Sequence, residues 1–317
     1  MCDNPILSVV IPAYNEEQNI SLVEEAIRGV LSNAGIRYEI VFVDDGSKDH
    51  TWARICELGK ANQTVCGVHF SRNFGKEAAI LAGLEQAIGD CCVVIDSDLQ
   101  HPPETIVDMY RLWQEGYEVI EAQKAARGKE TAAHGFAAKC FYALISRAAG
   151  FNMANASDFK LLDRKAVDAL LRMNEHNSFF RALSSWIGYR TATVQFEVRD
   201  RVAGESKWST KSLVKYAVNN IASFSTAPMQ MVTILGILLL VVSVVLSVVA
   251  LVQKLSGVAL GGFTTLILLL AFSSSIIMIS LGIIGYYIAK IYEEVKGRPR
   301  YLISDIVNRD RNGSDVL

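Results

Sequence analysis

Charge is almost absent from the C-terminal part of the chain, and this constrains the fold more than any other feature. Residues 216–289 contain a single charged side chain, Lys254. Residues 231–252 and 263–289 are apolar runs, each longer than the ~20 residues needed to cross the hydrocarbon core of a bilayer. This pattern predicts two transmembrane helices. The alternative, a buried pair of core helices, needs a far larger soluble shell than this chain supplies.

The rest of the chain has the composition of a soluble domain. The 317 residues include 31 Lys and Arg against 33 Asp and Glu, a formal net charge of −2. Nucleic-acid-binding proteins usually carry a basic excess, so we expect no nucleic-acid partner. The six cysteines show no CxxC spacing, which argues against a zinc site or a disulfide framework. No secretory signal precedes the first apolar run, so the N-terminal domain is expected in the cytosol.

Basic residues on both outer flanks of the apolar runs predict their orientation. They are Lys207, Lys211, Lys215, Lys290, Lys296, Arg298 and Arg300. The positive-inside bias then makes both flanks cytoplasmic. Apolar residues at helical spacing before the first run indicate a helix on the membrane surface, or one packed on the soluble domain. The predicted organisation is a cytosolic domain at 1–208, an interfacial helix at 209–227, a transmembrane hairpin at 228–290 and a cytosolic tail at 291–317.

Short β-branched runs alternate with helical patterns over the first 125 residues. Candidate strands lie at 7–11, 39–43, 65–70, 91–95 and 117–122, with others near 159–162 and 192–198. Between the first two, apolar residues from Ile20 to Leu31 recur at a spacing of 3.6, with Asn15 as the expected N-cap. Further helices are predicted at 131–149 and 164–173. This repetition predicts an α/β fold with a mostly parallel sheet and ligands at the carboxyl ends of its strands.

Acidic pairs follow two of these strands. Asp44 and Asp45 end the second strand, and Asp96 and Asp98 follow the fourth. Carboxylates at a strand end can hold a divalent cation that bridges a diphosphate, or bind a ribose hydroxyl. Each pair alone also fits an ordinary loop, because Asp and Gly form turns. Their joint placement at one edge of the sheet favours a binding site.

Two more loops are predicted at the same edge. Residues 12–16, after the first strand, are suited to a nucleoside or to an ordinary strand-to-helix turn. Residues 72–76, after the third strand, contain two cations in front of a helix. A helix N-terminus with cations suits an anion, and solvated turn charges are the alternative.

Five ordered motifs resemble a known family. They are Ser-Val-Val-Ile-Pro-Ala-Tyr-Asn-Glu at 8–16, Val-Asp-Asp-Gly-Ser at 43–47, Arg-Asn-Phe-Gly at 72–75, Asp-Ser-Asp-Leu-Gln-His-Pro-Pro-Glu at 96–104 and Arg-Val-Ala-Gly-Glu-Ser-Lys-Trp at 201–208. The chain resembles the GT-A fold family 2 polyisoprenyl-phosphate glycosyltransferases of the bacterial undecaprenyl-phosphate glucosyltransferase type, which are related to dolichol-phosphate mannose synthase. The likeness covers nearly the whole chain, including Arg-Pro-Arg-Tyr at 298–301.

The resemblance implies a fold, a cofactor and partners. The fold is a Rossmann-like GT-A catalytic domain with a mostly parallel sheet, followed by an interfacial helix and two transmembrane helices. The cofactor is Mg²⁺ or Mn²⁺. The partners are a nucleotide-sugar donor, a polyprenyl phosphate acceptor and the cytoplasmic membrane, with a homotetramer as the assembly.

The resemblance also implies roles for individual residues. Asp98 would ligate the metal, assisted by Asp96. The residues that would contact the nucleotide sugar are Pro12, Tyr14, Glu16, Asp44, Asp45, Asp96, Ser97 and Gln100. Asp158 matches a position often assigned as the catalytic base, and the catalytic cations are Arg127, Arg201 and Lys207, near phosphate groups.

Elementary chemistry suggests a different role for Asp158. A lipid phosphate monoester has a second pKa near ~6, so its attacking oxygen is largely deprotonated at neutral pH. We therefore expect Asp158 to orient an acceptor-binding cation or the sugar rather than to remove a proton. Arg201 and Lys207 are expected to lower the repulsion between two anionic substrates.

The expected function is inverting transfer of a hexose, with glucose from UDP-glucose as the first expectation, to polyprenyl phosphate at the cytoplasmic face of the inner membrane, for modification of cell-surface polysaccharide. Alternatives are another donor (UDP-GlcNAc, GDP-mannose or an aminosugar), a soluble acceptor, or a membrane-anchored protein that binds nucleotide sugars without turnover. A transporter is disfavoured, because the spans carry no charge that could line a pathway.

Overall fold

The structure, a computed structural model, describes residues 5–125, 157–173, 175, 179–197, 227–256 and 262–309. It divides into two units, residues 1–210 with 299–317, and residues 211–298. Three predicted catalytic residues, Arg127, Arg201 and Lys207, lie outside the described residues. So do the helix predicted at 131–149 and residues 209–226 of the predicted interfacial helix.

Eight strands in the described part of the chain form one sheet. They are β1 (Ile6–Ala13), β2 (Arg37–Asp44), β3 (Val65–Phe70), β4 (Cys91–Val94), β5 (Val119–Lys124), β6 (Lys160–Asp163), β7 (Thr191–Phe196) and β8 (Ile303–Val307), in the spatial order β7-β5-β6-β4-β1-β2-β3-β8. The central strands β4, β1, β2 and β3 are parallel, as are β5 and β7. Strand β6 runs antiparallel to β4 and β5, and β8 to β3. The fold is therefore Rossmann-like α/β with a mostly parallel sheet, as predicted.

Amphipathic helices cover this sheet. They are α1 (Ile20–Asn33), α2 (Thr51–Ala61), α3 (Lys76–Gln86), α4 (Glu104–Gln114), α5 (Arg164–Leu171) and α6 (Phe180–Trp186). In the predicted stripe of α1, Ile20, Val23, Ile27 and Leu31 are fully buried, whereas Ala26 and Val30 are partly buried. Each fully buried side chain contributes about 1.5–3 kcal/mol relative to exposure. In α3, Gly83 allows the helix to approach the sheet, because a Cβ there would collide with the side chain of Val10.

The predicted N-cap of α1 is wrong. Helix α1 begins at Ile20, with Asn19 as the preceding residue, and Asn15 instead has a left-handed backbone with φ 54°. The N–H of Asn15 donates to Ser47 Oγ at 2.8 Å, and its side-chain oxygen accepts the N–H of Lys48 at 2.8 Å. Asparagine tolerates this conformation because its short side chain bonds to nearby backbone. Asn15 therefore ties the loop after β1 to the loop after β2.

Strand β8 comes from the far end of the chain and was not predicted. It pairs antiparallel with β3 at the edge of the sheet. Arg309, just after it, lies 2.6 Å from Glu39, and the side chain of Asn308 donates to the carbonyl oxygens of Asn62 (3.2 Å) and Val65 (2.9 Å). The segment at 299–309 therefore belongs to the same folded unit as the N-terminal sheet.

The second unit contains two long apolar helices, α7 (Ala227–Leu255) and α8 (Phe263–Val295). Among the described residues, one segment, Phe272–Val295, has the length and hydropathy of a membrane span. Helix α7 contains a shorter apolar run, Val232–Leu246. Large apolar side chains are exposed along both helices, among them Leu240 and Met278. The helices lie where the sequence predicts spans, and one of them meets the criterion for crossing a membrane.

Candidate active site

The carboxyl ends of the parallel strands bring the predicted loops to one edge of the sheet. Ala13 at the end of β1 lies opposite Asp44 at the end of β2. Strand β4 runs parallel to β1 and ends two residues before Asp96. Strand β6 is antiparallel to β4, with Lys160 opposite Val94. Because the strands run in opposite directions, Asp158 lies beside the end of β4.

Asp44 is a fully buried carboxylate held by two neighbours. Its Oδ2 lies 2.7 Å from His69 Nδ1, and its Oδ1 accepts the backbone N–H of Ser47 at 3.1 Å. The ring of His69 stacks on that of Trp52, with centroids 4.9 Å apart. This aromatic pair was not predicted. It places two stacked, partly buried rings next to the side chain of Asp44.

Asp45 binds the loop after β3. Its carboxylate accepts the backbone N–H groups of Phe74 (2.6 Å) and Gly75 (2.9 Å). Burial raises the pKa of Asp45 to about 6, although these two hydrogen bonds oppose the rise. Next to it, Gly46 has φ +65°, and a Cβ there would collide with the backbone of Arg72. The second acidic residue thus joins two loops at the edge of the sheet.

Lys76, the first residue of α3, connects two carboxylates. Its Nζ lies 2.6 Å from Asp96 Oδ1 and 2.8 Å from Asp158 Oδ2. Arg181 in α6 makes a bidentate contact with the same carboxylate, with Nε 2.6 Å from Asp158 Oδ1 and Nη2 2.8 Å from Oδ2. The Asp158 side chain is only 5% exposed. A buried carboxylate therefore holds two cations, one of which also contacts Asp96.

This arrangement determines the protonation state of Asp158. Burial alone would raise the pKa of Asp158, but the charges of Lys76 and Arg181 and their hydrogen bonds hold it well below its ordinary value. Burial likewise opposes the charge of Lys76, yet Asp96 and Asp158 raise its pKa. Asp158 is thus a carboxylate at neutral pH, and a carboxylate of such low basicity is a weak proton acceptor.

Glu77 joins α3 to α6. Its Oε2 accepts the backbone N–H of Phe180, the first residue of α6, at 2.8 Å. Burial and the negative charge of Asp158 raise the pKa of Glu77 to about 7, against the opposing effects of this hydrogen bond and of Lys76. A carboxyl of this kind loses its proton near neutral pH in the folded protein but at about 4.5 in the unfolded chain.

This difference predicts a pH-dependent stability. Because the folded state holds the proton more tightly, Glu77 makes wild-type stability fall as pH rises from about 4.5 to about 7. Glu77→Gln keeps an acceptor for Phe180 without a charge, so we expect it to match wild type near pH 5 and to melt at a higher temperature at pH 8. Thermal melts across this range test this, with exposed Glu57→Gln as the control. Parallel curves for wild type and Glu77→Gln would contradict it.

The acidic pair after β4 suits a divalent cation. Asp96 and Asp98 provide carboxylate oxygens at i and i+2, and Asp98 Oδ1 accepts the N–H of Gln100 at 3.1 Å. Mg²⁺ and similar hard cations take one or two protein carboxylates and complete their shell with water and substrate phosphates. In the described ranges, no three His, Cys, Asp or Glu side chains cluster as a metal site. The pair therefore fits a cation shared with a diphosphate, not an all-protein cage.

The other predicted residues lie around this edge. Pro12 is buried at the end of β1, and Tyr14 is partly buried in the loop that follows. Glu16 accepts from Asn19 Nδ2 at 2.6 Å. Ser97 is buried and Gln100 is partly buried.

Arg181 was not predicted, since no motif marks it. Lys76 was predicted only as one of two loop cations, because its partner Asp158 is 82 residues away.

Comparison with known proteins identifies the family. Residues 8–171 match the family described as Glycosyl transferase family 2. The chain is 39% identical over 302 residues to an uncharacterized glycosyltransferase of Synechocystis sp., covering 95% of each chain. It is 33% identical over 302 residues to a prophage bactoprenol glucosyl transferase homolog of Escherichia coli (95% of this chain, 99% of the relative). It is 34% identical over 299 residues to the SfII prophage-derived bactoprenol glucosyl transferase of Shigella flexneri (94% and 97%).

A solved structure shares the fold. Glucosyl-3-phosphoglycerate synthase from Mycobacterium tuberculosis, in complex with Mn²⁺, UDP-glucose and phosphoglyceric acid, matches with a TM-score of 0.50 and 20% identity, over 69% of this chain and 78% of that one. This likeness concerns the GT-A architecture alone. The match over residues 8–171 and the relatives aligned over nearly the whole length show that the chain is a glycosyltransferase and belongs to glycosyl transferase family 2.

Proposed function

We propose that this glycosyltransferase moves glucose from UDP-glucose to undecaprenyl or another polyprenyl phosphate at the cytoplasmic face of the membrane, with inversion at the anomeric carbon. The observation that carries the proposal is a set of ion pairs at one edge of the sheet. Lys76 contacts both Asp96 and Asp158, and Arg181 contacts Asp158. The bactoprenol glucosyl transferases to which the chain is similar support both the glucose and the lipid acceptor. The long apolar helices support a membrane location.

The donor side must stabilise a leaving nucleoside diphosphate. Negative charge develops on that group as the bond to the sugar breaks, and fixed positive charge nearby lowers the barrier. When bound at Asp98 and Asp96, Mg²⁺ or Mn²⁺ would supply a Lewis acid for these phosphates. Lys76 contacts Asp96, so its ammonium provides a second positive charge next to the same place.

The acceptor side needs charge compensation more than a base. The phosphate monoester of the lipid is mostly deprotonated at neutral pH. Asp158, whose pKa is held well below its ordinary value, keeps Lys76 and Arg181 side by side. Two adjacent cations reduce the repulsion between the anionic donor and the anionic acceptor. Arg127, Arg201 and Lys207 remain predicted members of this phosphate-binding set.

Strand β8 constrains the path of the chain through a membrane. The described residues before 198 and residues 299–309 belong to one folded unit, so they lie on the same side. A chain that leaves one side and returns to it crosses an even number of times. If Phe272–Val295 crosses once, a second crossing precedes it, and Ala227–Leu255 is a helix long enough to provide it. We therefore propose two spans, with the connection around residue 256 on the outer side.

Cysteine labelling tests this topology. In intact spheroplasts, a membrane-impermeant maleimide is expected to label Ser256→Cys, whereas Ser304→Cys, on exposed β8, is labelled only after lysis. The wild type, whose native cysteines would all be cytoplasmic, is the control and stays unlabelled before lysis. Labelling of Ser304→Cys in intact spheroplasts, or protection of Ser256→Cys until lysis, would contradict an even number of crossings.

A donor panel tests the sugar. Purified full-length protein in lipid nanodiscs with undecaprenyl phosphate is given UDP- and GDP-sugars in turn, and lipid-linked product is counted. UDP-glucose is expected to give the highest kcat/KM. Preference for another sugar would replace glucose and keep the reaction, whereas turnover with a soluble acceptor alone would overturn the lipid acceptor. The same preparation tests the predicted homotetramer by its mass in solution.

A further inference from the structure

Helix α6 is short, and polar contacts hold it at both ends. It has seven residues, fewer than an isolated helix needs for stability, so its position depends on tertiary contacts. Glu77 accepts the N–H of Phe180 at its first turn. Lys160 binds its other end through Ser184 Oγ (2.8 Å) and Ser185 Oγ (3.4 Å). The helix is therefore held by charged side chains that flank the site.

Lys160 is unusual because it is a fully buried lysine in the middle of the sheet. Its side chain has 0% exposure, and its ammonium forms an ion pair with Glu121, the residue opposite it on β5. Ser185 Oγ lies 3.4 Å from the same glutamate. Replacing a buried ion pair with apolar side chains is often neutral or stabilising, so stability alone does not explain this pair. What an apolar side chain could not provide is the set of hydrogen bonds to α6.

Strand β6 and the bend just before it hold the backbone and the side chain of Arg181. Lys160 is the first residue of β6, and Asp158 lies at the bend two residues earlier. Lys160 Nζ donates to the backbone carbonyl of Arg181 at 3.3 Å, and Asp158 accepts the fork of its guanidinium. The backbone and the guanidinium of Arg181 are thus both tied to residues at the start of β6. This is the rigidity that a substrate-binding group needs, since a misplacement of roughly 1 Å can cost about 10²-fold in rate.

Arg181 has the properties of a phosphate-binding residue. The fork to Asp158 involves Nε and Nη2, one edge of the guanidinium, and the side chain is 27% exposed. Lys76 on the same carboxylate is 39% exposed. Guanidinium and ammonium groups bind phosphate oxygens through charge-assisted hydrogen bonds. Both cations therefore remain partly exposed to the site, although they share the buried carboxylate of Asp158 and Lys76 also contacts Asp96.

We propose that Arg181 binds a phosphate group of the substrates, and that the buried Lys160–Glu121 pair positions α6 and with it Arg181. The inference rests on the proposed function for the nature of the substrates. The phosphate has two sources with the same chemistry, the monoester of the lipid acceptor and the diphosphate of the donor. Arg181 is the binding residue, and Lys160 and Glu121 act only through it.

The first experiment tests Arg181. In nanodiscs with UDP-glucose and undecaprenyl phosphate, Arg181→Met is expected to raise one substrate KM by about tenfold or more, the usual loss of a charge-assisted hydrogen bond. Arg181→Lys should recover part of this. Exposed Arg111→Met is the control. A rise confined to the acceptor KM assigns the phosphate to the lipid, and weaker binding of UDP-glucose without acceptor assigns it to the donor. If Arg181→Met keeps wild-type KM values for both UDP-glucose and undecaprenyl phosphate, Arg181 does not bind a substrate phosphate.

The second experiment separates positioning from stability. Single variants Lys160→Met and Glu121→Gln each leave a buried charge and should lower the melting temperature. The double variant Lys160→Met/Glu121→Gln removes both charges, so its melting temperature should recover. The substrate KM that Arg181→Met raises should nevertheless stay above the wild-type value in this double variant. The double variant Glu39→Gln/Arg309→Met, at a comparable pair far from α6, is the control and should keep both KM values. If the Lys160→Met/Glu121→Gln variant recovers both its melting temperature and its wild-type KM, Lys160 and Glu121 do not position Arg181.

A second set of variants decides the matter if that double variant does not fold. Ser184→Ala with Ser185→Ala leaves the ion pair intact and removes two contacts to α6, and it should raise the same KM a few fold. An unchanged KM would overturn the proposal. These failures differ from a failure of the proposed function. If wild type transfers no sugar to the lipid, the function is wrong, whereas normal transfer with unaffected variants refutes only the role of Arg181 and its supports.

Discussion

Replacing Asp98 with Asn is expected to lower kcat/KM for sugar transfer by about 10³-fold. The change removes a full charge from the pair of carboxylates proposed to hold a cation against the donor diphosphate. Loss of one group that stabilises developing charge typically costs about 10²–10³-fold, and a metal ligand belongs at the upper end of this range. Initial rates at varied UDP-glucose and Mn²⁺ concentrations measure the effect. Mn²⁺ binding in the presence of UDP should weaken in parallel.

The control for this change is an exposed aspartate on a neighbouring helix. Asp108 lies on α4, is 59% exposed and forms an ion pair with Arg111, so Asp108→Asn should keep wild-type rates. Melting temperatures of both variants show whether the fold is intact. A folded Asp98→Asn protein that keeps wild-type kcat/KM and Mn²⁺ affinity would remove the acidic pair from the site.

Asp158→Asn is expected to lower kcat/KM by about 10²-fold or more without changing the shape of the pH profile. The variant releases Lys76 and Arg181 from their shared carboxylate, and both cations then lose the positions proposed to bind phosphate. Because its pKa lies well below the ordinary value, Asp158 is ionised throughout the range near neutrality. It therefore cannot set a limb of the profile there. Rates with saturating acceptor from pH 5.5 to 9 measure the effect.

One outcome would reverse the assignment of Asp158. The titration of the acceptor phosphate, with its pKa near ~6, should produce an acid limb in wild type and variant alike. If wild type shows a limb that Asp158→Asn lacks, Asp158 is a proton acceptor in the reaction. The melting temperature of the variant should fall, since removing one partner leaves the remaining charges uncompensated. The low pKa of Asp158 stabilises the fold above its unfolded value near 3.8, and this stabilisation is lost in strong acid.

Much of the central sheet was predictable because its strands are locally encoded. The predicted strand at 65–70 coincides with β3, and those at 7–11 and 39–43 lie inside β1 and β2. These runs are β-branched and almost wholly buried, so local composition and tertiary position agree. The acidic pairs were found for the same reason, because the end of a parallel strand is where a ligand-binding loop begins.

The parts that were missed depend on partners distant in sequence. Strand β8 has a mixed pattern, Ile-Ser-Asp-Ile-Val, typical of an exposed edge strand, and it pairs with β3 more than 230 residues earlier. Arg181 and Lys160 carry no motif, since their roles arise from contacts between α6 and β6. Local patterns contain no information about such pairings.

The acidic residues after β2 show a different limit. Their position at the end of a predicted strand marked Asp44 and Asp45 as a pair, but they have separate partners. Asp44 contacts His69, while Asp45 accepts N–H groups from the loop after β3. The sequence cannot distinguish a carboxylate that binds a ligand from one that holds a loop, because both follow a strand and precede a turn. A direct role of either residue with the nucleotide stays a prediction.

Partition of labelled sugar into lipid tests the central claim most directly. Purified full-length protein is incubated with UDP-[¹⁴C]glucose, Mn²⁺ and undecaprenyl phosphate, and the organic phase is counted. We expect label in the organic phase only when acceptor is present, and a nearly complete loss of it for Asp98→Ala. Label confined to the aqueous phase, or equal organic label for wild type and Asp98→Ala, would contradict the account.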